Sequence, residues 1–273
     1  MTDSTHTDRR APARAKTRGR WHFFWDLVFR TVRLIGRHAK NAYTVFGIVL
    51  VAGATIAVAG TWTFAEFAGH VRSGKTQAFD DAVMGWIGRH QYPLLQAGML
   101  EVTALATASV VFAIVCIAGM FLWLNKHKHS AILLVAASVG GILLNNLLKI
   151  GFDRPRPQVF TWGTVASSSS FPSGHAMSAA IVYCTVAYLA ARLQRRHLAR
   201  VMTGLCALVI VILICTSRVY LGVHYPSDVL AGVLIGLSWA AFCMTILEAA
   251  QLYARWNAPE MLRAERPAAH PAA

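Results

Sequence analysis

Apolar residues dominate the chain from about residue 45 to residue 247 and fall into six long runs separated by polar segments. A helix needs about 20 mostly apolar residues to cross the hydrocarbon core of a bilayer. The six runs approach that length, and no Asp, Glu, Lys or Arg interrupts them. Because lipid offers the backbone no hydrogen-bond partners, such runs must be helical. The predicted spans are Val45–Phe64, Val102–Leu124, Ala131–Leu148, Gly174–Ala191, Val201–Thr216 and Val229–Leu247.

The segments outside these runs follow other patterns. Residues 1–20 are polar and rich in Arg, which predicts a disordered basic tail. In residues 21–40, aromatic and aliphatic positions recur at helical spacing opposite Arg30, Arg33 and Arg37. This pattern favours an amphipathic helix in the membrane interface, with its basic face against anionic headgroups, over a plain cytoplasmic helix. Residues 248–273 form a predicted C-terminal tail.

The first loop between spans has an apolar stripe of its own. Phe79, Val83, Trp86 and Ile87 recur at helical spacing and predict a second helix that rests on the membrane. The complete fold prediction is therefore an all-α protein. It is a bundle of six transmembrane helices over residues 45–247, preceded by the N-terminal interfacial amphipathic helix.

Composition excludes an ordinary soluble enzyme. Hydrophobic residues make up 56% of the chain, charged residues only 14%, and a soluble domain carries about 25% charged residues. The net charge of +14 is compatible with nucleic acid, a membrane surface or a phosphorylated substrate. Nucleic acid is disfavoured because no basic stripe with interleaved aromatics lies on a soluble segment. The five cysteines all fall in apolar runs, so we interpret them as small buried hydrophobic residues.

The distribution of Lys and Arg predicts the orientation. If both termini lie inside, the inner segments carry 19 of these residues and the outer segments carry 7. The positive-inside rule then places both termini in the cytoplasm. For a bacterial cell this predicts a multi-pass protein of the inner membrane.

Polar residues that suggest chemistry gather at the ends of four predicted spans. Lys149 to Pro157 follow the third span, and Pro172 to His175 open the fourth. Ser217 and Arg218 close the fifth, and His224 and Asp228 precede the sixth. These span ends all face one side, the outer one by the charge count. We therefore expect the clusters to converge on one periplasmic pocket at the membrane interface.

The residue types suit one chemistry. Arg and Lys are donors for a tetrahedral oxyanion, and the start of a helix at Ser173 and Gly174 is a natural anion site. A histidine held by an aspartate four residues later, as in His224 and Asp228, is typical of an activated nucleophile. His175 on the opposite wall would serve as a general acid. The residues predict a site that binds a tetrahedral oxyanion beside an activated histidine and a general acid.

The three clusters resemble the type 2 phosphatidic acid phosphatase superfamily, which includes the vanadium haloperoxidases. Its motifs K-x6-R-P, P-S-G-H and S-R-x5-H-x3-D match Lys149 to Pro157, Pro172 to His175 and Ser217 to Asp228. The resemblance implies that His224 attacks phosphorus, that Asp228 orients its ring and that His175 protonates the leaving group. The implied phosphate-binding residues are Lys149, Arg156, Ser173, Gly174 and Arg218. The family's candidate substrates include undecaprenyl diphosphate, phosphatidylglycerophosphate and phosphatidate.

Several interpretations stay open at this stage. No cluster of carboxylates is present for Mg²⁺, so we expect neither metal nor cofactor. The same phosphohistidine would serve a lipid phosphotransferase, and intramembrane charges would also suit a lipid transporter without chemistry. Asp153 and Arg154 are either a local ion pair or contacts behind the site. Asn145 and Asn146 either bond the site or pack between helices.

Overall fold

The computed structural model describes residues 42–164 and 168–264, with side chains from Val51 to Gln251 apart from 52 and 165–167. The predicted basic tail and the predicted interfacial helix at 21–40 lie outside the described residues. Contacts divide the chain into two units, 1–48 and 49–273, and the description below concerns the second. Throughout the described part of the chain the regular secondary structure is helical.

Eight helices make up the described part of the chain. They are α1 Ala42–Arg72, α2 Gln77–Arg89, α3 Pro93–Ala104, α4 Ala108–Leu124, α5 Lys128–Phe152, α6 Gly174–Leu193, α7 His197–Tyr220 and α8 Pro226–Ala264.

Four of these helices are long and apolar enough to cross a membrane: α5, α6, α7 and residues 226–251 of α8. A fifth candidate arises if α3 and α4, which are bent by 44° at their junction, count as one span. The described residues therefore hold four or five candidate spans against the six predicted. The helix α1 contains the first predicted span but is not one of these candidates.

The second predicted span has the wrong boundary. Val102 to Ala104 belong to α3, and α4 begins only at Ala108. At the break, the Thr107 hydroxyl donates a hydrogen bond of 2.7 Å to the Ala104 carbonyl. Threonine side chains compete with the helical ladder in this way, so an unbroken apolar run does not guarantee an unbroken helix.

The central helix is α6, which packs against α4, α5, α7 and α8. Its buried side chains include Met177, Ile181 and Val182, which join residues of α1, α4, α5 and α8 in the main hydrophobic cluster. The N-terminus of α6 carries Ser173 and His175, so the central helix of the described part of the chain also presents part of the site.

The surface helix α2 confirms that a helix lies in the first loop, with Phe79 and Trp86 exposed. The prediction that Ile87 faces the membrane is wrong, because Ile87 points into the protein beside Met84 and Asp80.

The cysteine interpretation also needs correction. All five thiols are free, but only Cys243 is buried within the protein, and Cys116 and Cys206 lie on its outer surface. The residues around these cysteines are apolar because they belong to a hydrophobic outer surface, which suits contact with lipid.

Candidate active site

The structure brings the predicted site residues together at one end of the helical bundle. Lys149 lies in the last turn of α5, Arg218 in the last turn of α7, and Asp228 in the first turn of α8. The loops after α5 and α7 carry Arg156 and His224. The helix α8 begins at Pro226, so Ser227 and Asp228 belong to its first turn.

His224 is buried, and the contacts of its two ring nitrogens define its tautomer. Nδ1 lies 2.8 Å from the carbonyl oxygen of Ser170, which only accepts hydrogen bonds. Nε2 lies 3.3 Å from Nη1 of Arg156, which only donates. The proton therefore belongs on Nδ1, and the lone pair of Nε2 points toward the cationic side chains.

Asp228 is completely buried, and its contact with the imidazole is longer than a hydrogen bond. Oδ2 lies 3.8 Å from His224 Nδ1, whereas it accepts bonds of 2.5 Å from the Ser170 hydroxyl and 2.9 Å from the Tyr225 N–H. Ser170 therefore lies between the two residues. Its carbonyl binds the imidazole and its hydroxyl binds the carboxylate.

Burial lowers the pKa of His224 to about 4, because the charged imidazolium is poorly solvated there. The nearby Asp228 carboxylate opposes this effect, and the positive charges of Arg156 and Arg218 reinforce it. His224 is consequently a neutral imidazole at physiological pH. A neutral ring with an available Nε2 lone pair is the form that a nucleophile requires.

Arg156 is the cation that contacts this nitrogen, and Lys149 is held beside it through Ser168. Arg156 donates 2.8 Å and 2.6 Å bonds to the carbonyls of Ser168 and Val223, and burial lowers its pKa while leaving it a cation. Lys149 Nζ donates to the Ser168 hydroxyl at 2.7 Å. The main chain and side chain of Ser168 thus hold two of the cations.

Arg218 is the most deeply buried cation of the site, with 4% of its surface exposed. Its Nη1 donates to the Thr103 hydroxyl at 2.8 Å, but its buried Nε has no hydrogen-bond partner among the described residues. A buried donor without a partner is costly. An anion in the pocket would satisfy it.

The N-terminus of α6 forms another wall. Ser173 is the N-cap residue, and its hydroxyl accepts from the Ala176 N–H. Its own N–H donates to the Asp228 carbonyl at 3.0 Å, which ties the start of α6 to the first turn of α8. The positive end of the α6 dipole thus faces the cationic cluster, an arrangement that favours an anion.

A large apolar cavity of about 1290 Å³ opens beside His175. It follows α4 and α5 and reaches Trp123 near the opposite end of α4. His175, Asn145 and Asn146 line the end near the site. Asn145 is buried between α5 and α6 and donates to the sulfur of Met177, so it both packs between helices and borders the cavity.

The residues behind His224 and Asp228 include several that sequence reasoning left open or missed. Arg154 binds Asp80 and Asp228 and not its neighbour Asp153, which ends α5 in a left-handed conformation. Asp80 was not predicted, and Ser170 was expected only as part of an outer loop near the pocket. A usable signal for Asp80 did exist: it continues the buried stripe of Met84 and Ile87 at helical spacing, where an acid is unexpected.

Fold and site together define a helical membrane protein with a buried histidine–aspartate pair beside a cluster of cations. The PAP2 superfamily profile matches residues 130–252, which include all three motifs. Phosphatidylglycerophosphatase B of Bacillus subtilis is 34% identical over 175 residues, which cover 64% of this chain and 86% of that protein. The chain therefore belongs to the PAP2 superfamily.

Two further relatives agree with this assignment. The crystal structure of a transmembrane PAP2 type phosphatidylglycerolphosphate phosphatase from Bacillus subtilis has a TM-score of 0.65 and 31% identity. That match covers 70% of this chain and 96% of the other. Undecaprenyl-diphosphatase of Sulfolobus acidocaldarius is 28% identical over 137 residues, which cover 48% of this chain and 62% of that protein.

Proposed function

We propose that this protein hydrolyses a lipid phosphate or lipid diphosphate through a phosphohistidine on His224. Phosphatidylglycerophosphate, undecaprenyl diphosphate and phosphatidate are the candidate substrates. The first two correspond to the names of its relatives in Bacillus subtilis and Sulfolobus acidocaldarius.

One observation carries this proposal: the cationic pocket around His224 adjoins the apolar cavity along α4 and α5. A phosphate held by Arg156 and Arg218 would have its ester oxygen near His175, at the mouth of the cavity. From Ser109 to Trp123 the cavity follows α4 for about 20 Å, at 1.5 Å per residue. That length and the apolar lining suit a lipid chain better than a soluble phosphate ester.

In the first half-reaction, Nε2 of His224 attacks phosphorus. The new Nε2–P bond forms as the bond between phosphorus and the leaving oxygen breaks, and that oxygen keeps the electron pair. His175 in its protonated form gives its proton to the leaving oxygen. The imidazole becomes positively charged, and its Nδ1–H remains bonded to Ser170 beside the Asp228 carboxylate.

In the second half-reaction, water attacks the phosphohistidine. His175, now neutral, accepts a proton from that water as the new P–O bond forms. The Nε2–P bond breaks, the electron pair returns to His224, and inorganic phosphate leaves. Lys149, Arg156 and Arg218 balance the negative charge of the phosphoryl oxygens in both steps, which is the main contribution that a phosphoryl-transfer site makes.

The three cations occupy the place that metal ions hold in many phosphoryl-transfer sites. We therefore propose that hydrolysis does not depend on a divalent metal. EDTA should leave the rate unchanged.

The arrangement in the membrane that fits this function has six spans, with α1 as the first. The excess of Lys and Arg in the segments 125–130 and 192–200, between the apolar runs, supports placing that end in the cytoplasm with both termini. The site would then lie on the outer side of the cell membrane. The basic helix predicted at 21–40 would lie against anionic headgroups on the inner side.

The test is phosphate release by the purified protein in detergent, with EDTA, from the three candidate lipids. We expect release from at least one lipid and a loss of at least about 1,000-fold in His224→Ala, since the nucleophile is removed. His129→Ala, which changes an exposed histidine in the first turn of α5 at the other end of the bundle, is the matched control. Equal activity in His224→Ala would overturn the proposed site.

The same experiment separates the other functions. If the lipid loses its phosphate but inorganic phosphate does not appear, the phosphoryl group has passed to another lipid, and the protein is a phosphotransferase. If the lipid is unchanged and moves only between leaflets, the protein is a transporter.

A further inference from the structure

Arg154 lies between two buried carboxylates, outside the phosphate pocket. Its Nη1 is 2.5 Å from Oδ1 of Asp228, and its Nη2 is 2.9 Å from Oδ2 of Asp80. The side chain of Arg154 is 11% exposed, and both carboxylates are fully buried. We call this arrangement of Asp80, Arg154 and Asp228 the arginine bridge.

Further contacts hold both ends of the arginine bridge. Gln77 accepts from Arg154 Nη2 at 3.1 Å, and the Tyr225 ring lies 4.3 Å from the guanidinium carbon. The ion pairs and these contacts leave the guanidinium little freedom to turn toward a substrate. Burial acts to lower the pKa of Arg154, but the two carboxylates outweigh it and the pKa is raised overall.

Asp80 also caps the helix that carries Asp228. Its Oδ1 accepts from the Ser227 N–H at 3.1 Å, and its Oδ2 accepts from the Ser227 hydroxyl at 2.5 Å. Ser227 belongs to the first turn of α8, where unpaired N–H groups and the helix dipole favour an anion. An acidic residue of α2 thus fixes both the first turn of α8 and the arginine bridge.

We propose that Arg154 and Asp80 are positioning residues that hold Asp228, and through it Ser170 and His224, in the geometry needed for phosphoryl transfer. The proposal rests on the function proposed above. The two carboxylate oxygens of Asp228 bind different residues, Arg154 and Ser170. Oδ1 binds Arg154, and Oδ2 binds Ser170, whose carbonyl accepts from His224 Nδ1. Without the guanidinium, two buried carboxylates would share one site with no cation between them.

The charges around His224 allow a readout that separates positioning from folding. The ring faces Asp228 from α8, Arg156 from the loop after α5, Arg218 from α7 and His175 from α6. The charge of Lys149 on α5 acts on His175. Removing the positive charge of Arg154 leaves the Asp228 charge less compensated, which favours the imidazolium. The pKa of His224 should rise in such a variant.

The experiment measures kcat, KM and the pH profile of kcat/KM for Arg154→Met and Asp80→Asn, with the proposed substrate. Arg154→Met should lower kcat about 100-fold with KM within about twofold, since breaking a buried ion pair is costly and the residue does not face the phosphate. The acidic limb of its kcat/KM profile, where the rate falls as His224 becomes protonated, should move up by about one pH unit. Asp80→Asn should lower kcat about tenfold without an upward shift of the limb.

The double variant provides the decisive comparison. Asp80→Asn combined with Arg154→Met removes the second unpaired carboxylate, so its kcat should exceed that of Arg154→Met by several-fold. If the two substitutions acted independently, their fold-losses in kcat would instead multiply. Arg192→Met, which breaks the ion pair with Glu248 between α6 and α8, is the matched control and should keep kcat within about twofold.

Each remaining outcome decides the question. A raised KM with normal kcat in Arg154→Met would make Arg154 a substrate-binding residue and overturn the proposal. An unchanged acidic limb of kcat/KM in Arg154→Met would also overturn it. So would a double variant whose kcat is lower than that of either single variant. If Arg154→Met does not fold, the isosteric Asp80→Asn carries the test, and normal kcat there refutes the proposal. Failure of the proposed function itself is separate, because it appears as full activity in His224→Ala.

Discussion

At the scale of single residues, the protonation of His224 follows from its surroundings. Burial and two neighbouring arginines disfavour the imidazolium, and one carboxylate at 3.8 Å does not compensate for them. The proposed nucleophile is thus neutral at the same pH at which the cations of the site are charged. In the proposed mechanism the charge of Asp228 would act most strongly on the phosphorylated ring, which is cationic.

This environment predicts the pH dependence of the first half-reaction. The ordinary pKa of histidine is about 6.5, and that of His224 is lowered to about 4. Below that value Nε2 is protonated and cannot attack, so kcat/KM should fall about tenfold per pH unit there. Between pH 5 and 7 this group should not limit the rate. Steady-state kinetics from pH 3 to 8 test this, with the ionisation of the substrate phosphate followed by ³¹P NMR. An acidic limb near 6.5, after that correction, would contradict the burial argument.

The residues proposed to contact the phosphoryl group were predictable, whereas those behind them were not. Lys149, Arg156 and His224 stand in motifs of fixed spacing, at a helix end or in the loop that follows one. Asp80 reaches the site from a helix about 70 residues earlier in the chain, and its role depends on packing. Ser170 acts partly through its main-chain carbonyl, which any residue possesses. Such contacts leave little trace in a single sequence.

At the scale of helices, the contact between α6 and α8 sets the distance between the two halves of the site. A Cβ atom on Gly232 would lie 2.6 Å from the carbonyl oxygen of Ser173, and one on Gly236 would lie 2.9 Å from that of Met177. Small residues four apart let helices approach closely in membranes. Here the close approach also permits the bond between the Ser173 N–H and the Asp228 carbonyl.

Gly232→Ala should therefore damage both stability and activity. The new methyl group meets main-chain atoms, which cannot turn aside, so α6 and α8 must separate at the site. Overpacking of this kind costs about 1–3 kcal/mol of unfolding free energy, and kcat should fall about tenfold or more. Thermal unfolding in detergent and phosphate release measure the two effects.

Gly204→Ala is the matched control for this change. Gly204 lies in α7 with open space around its Cβ position, and alanine favours a helix by about 1 kcal/mol over glycine. Its stability should stay equal or rise, with normal activity. Similar behaviour of the two alanine variants would show that the α6–α8 distance does not control the site.

Hydropathy predicted the existence of the helices better than their ends. The run Val201–Thr216 marks the apolar part of α7, but the helix extends from His197 to Tyr220. The helix continues past the apolar residues to Tyr220, and its last turns contain the buried Ser217 and Arg218. The break between α3 and α4 was missed for the opposite reason: it lies within apolar sequence, where hydropathy does not change.

At the scale of the whole molecule, the site could be located because a bundle of alternating helices leaves few choices. The end of α5, the start of α6, the end of α7 and the start of α8 must lie at the same end. Three motifs far apart in sequence therefore meet without any prediction of side-chain contacts. The sequence did not reveal that α2 closes this end from the side, with Asp80 as its contact.

The orientation of the bundle is the last expectation that an experiment should decide. Labelling with a membrane-impermeant maleimide tests it in a cysteine-free background, because the native thiols would also react. Ser73→Cys is exposed in the turn between α1 and α2, at the end that holds the site, and should be labelled in intact cells. Arg195→Cys, exposed between α6 and α7, should react only after permeabilisation.

Phosphate release by both variants provides the control that labelling reports a functional protein. The expected pattern follows from the 19 Lys and Arg residues assigned to the inner segments against 7 outside. The reverse pattern would leave the chemistry of the site intact but move it to the cytoplasmic leaflet. The substrate would then have to be a lipid phosphate that is made and consumed on the same side, with no need for transfer across the membrane.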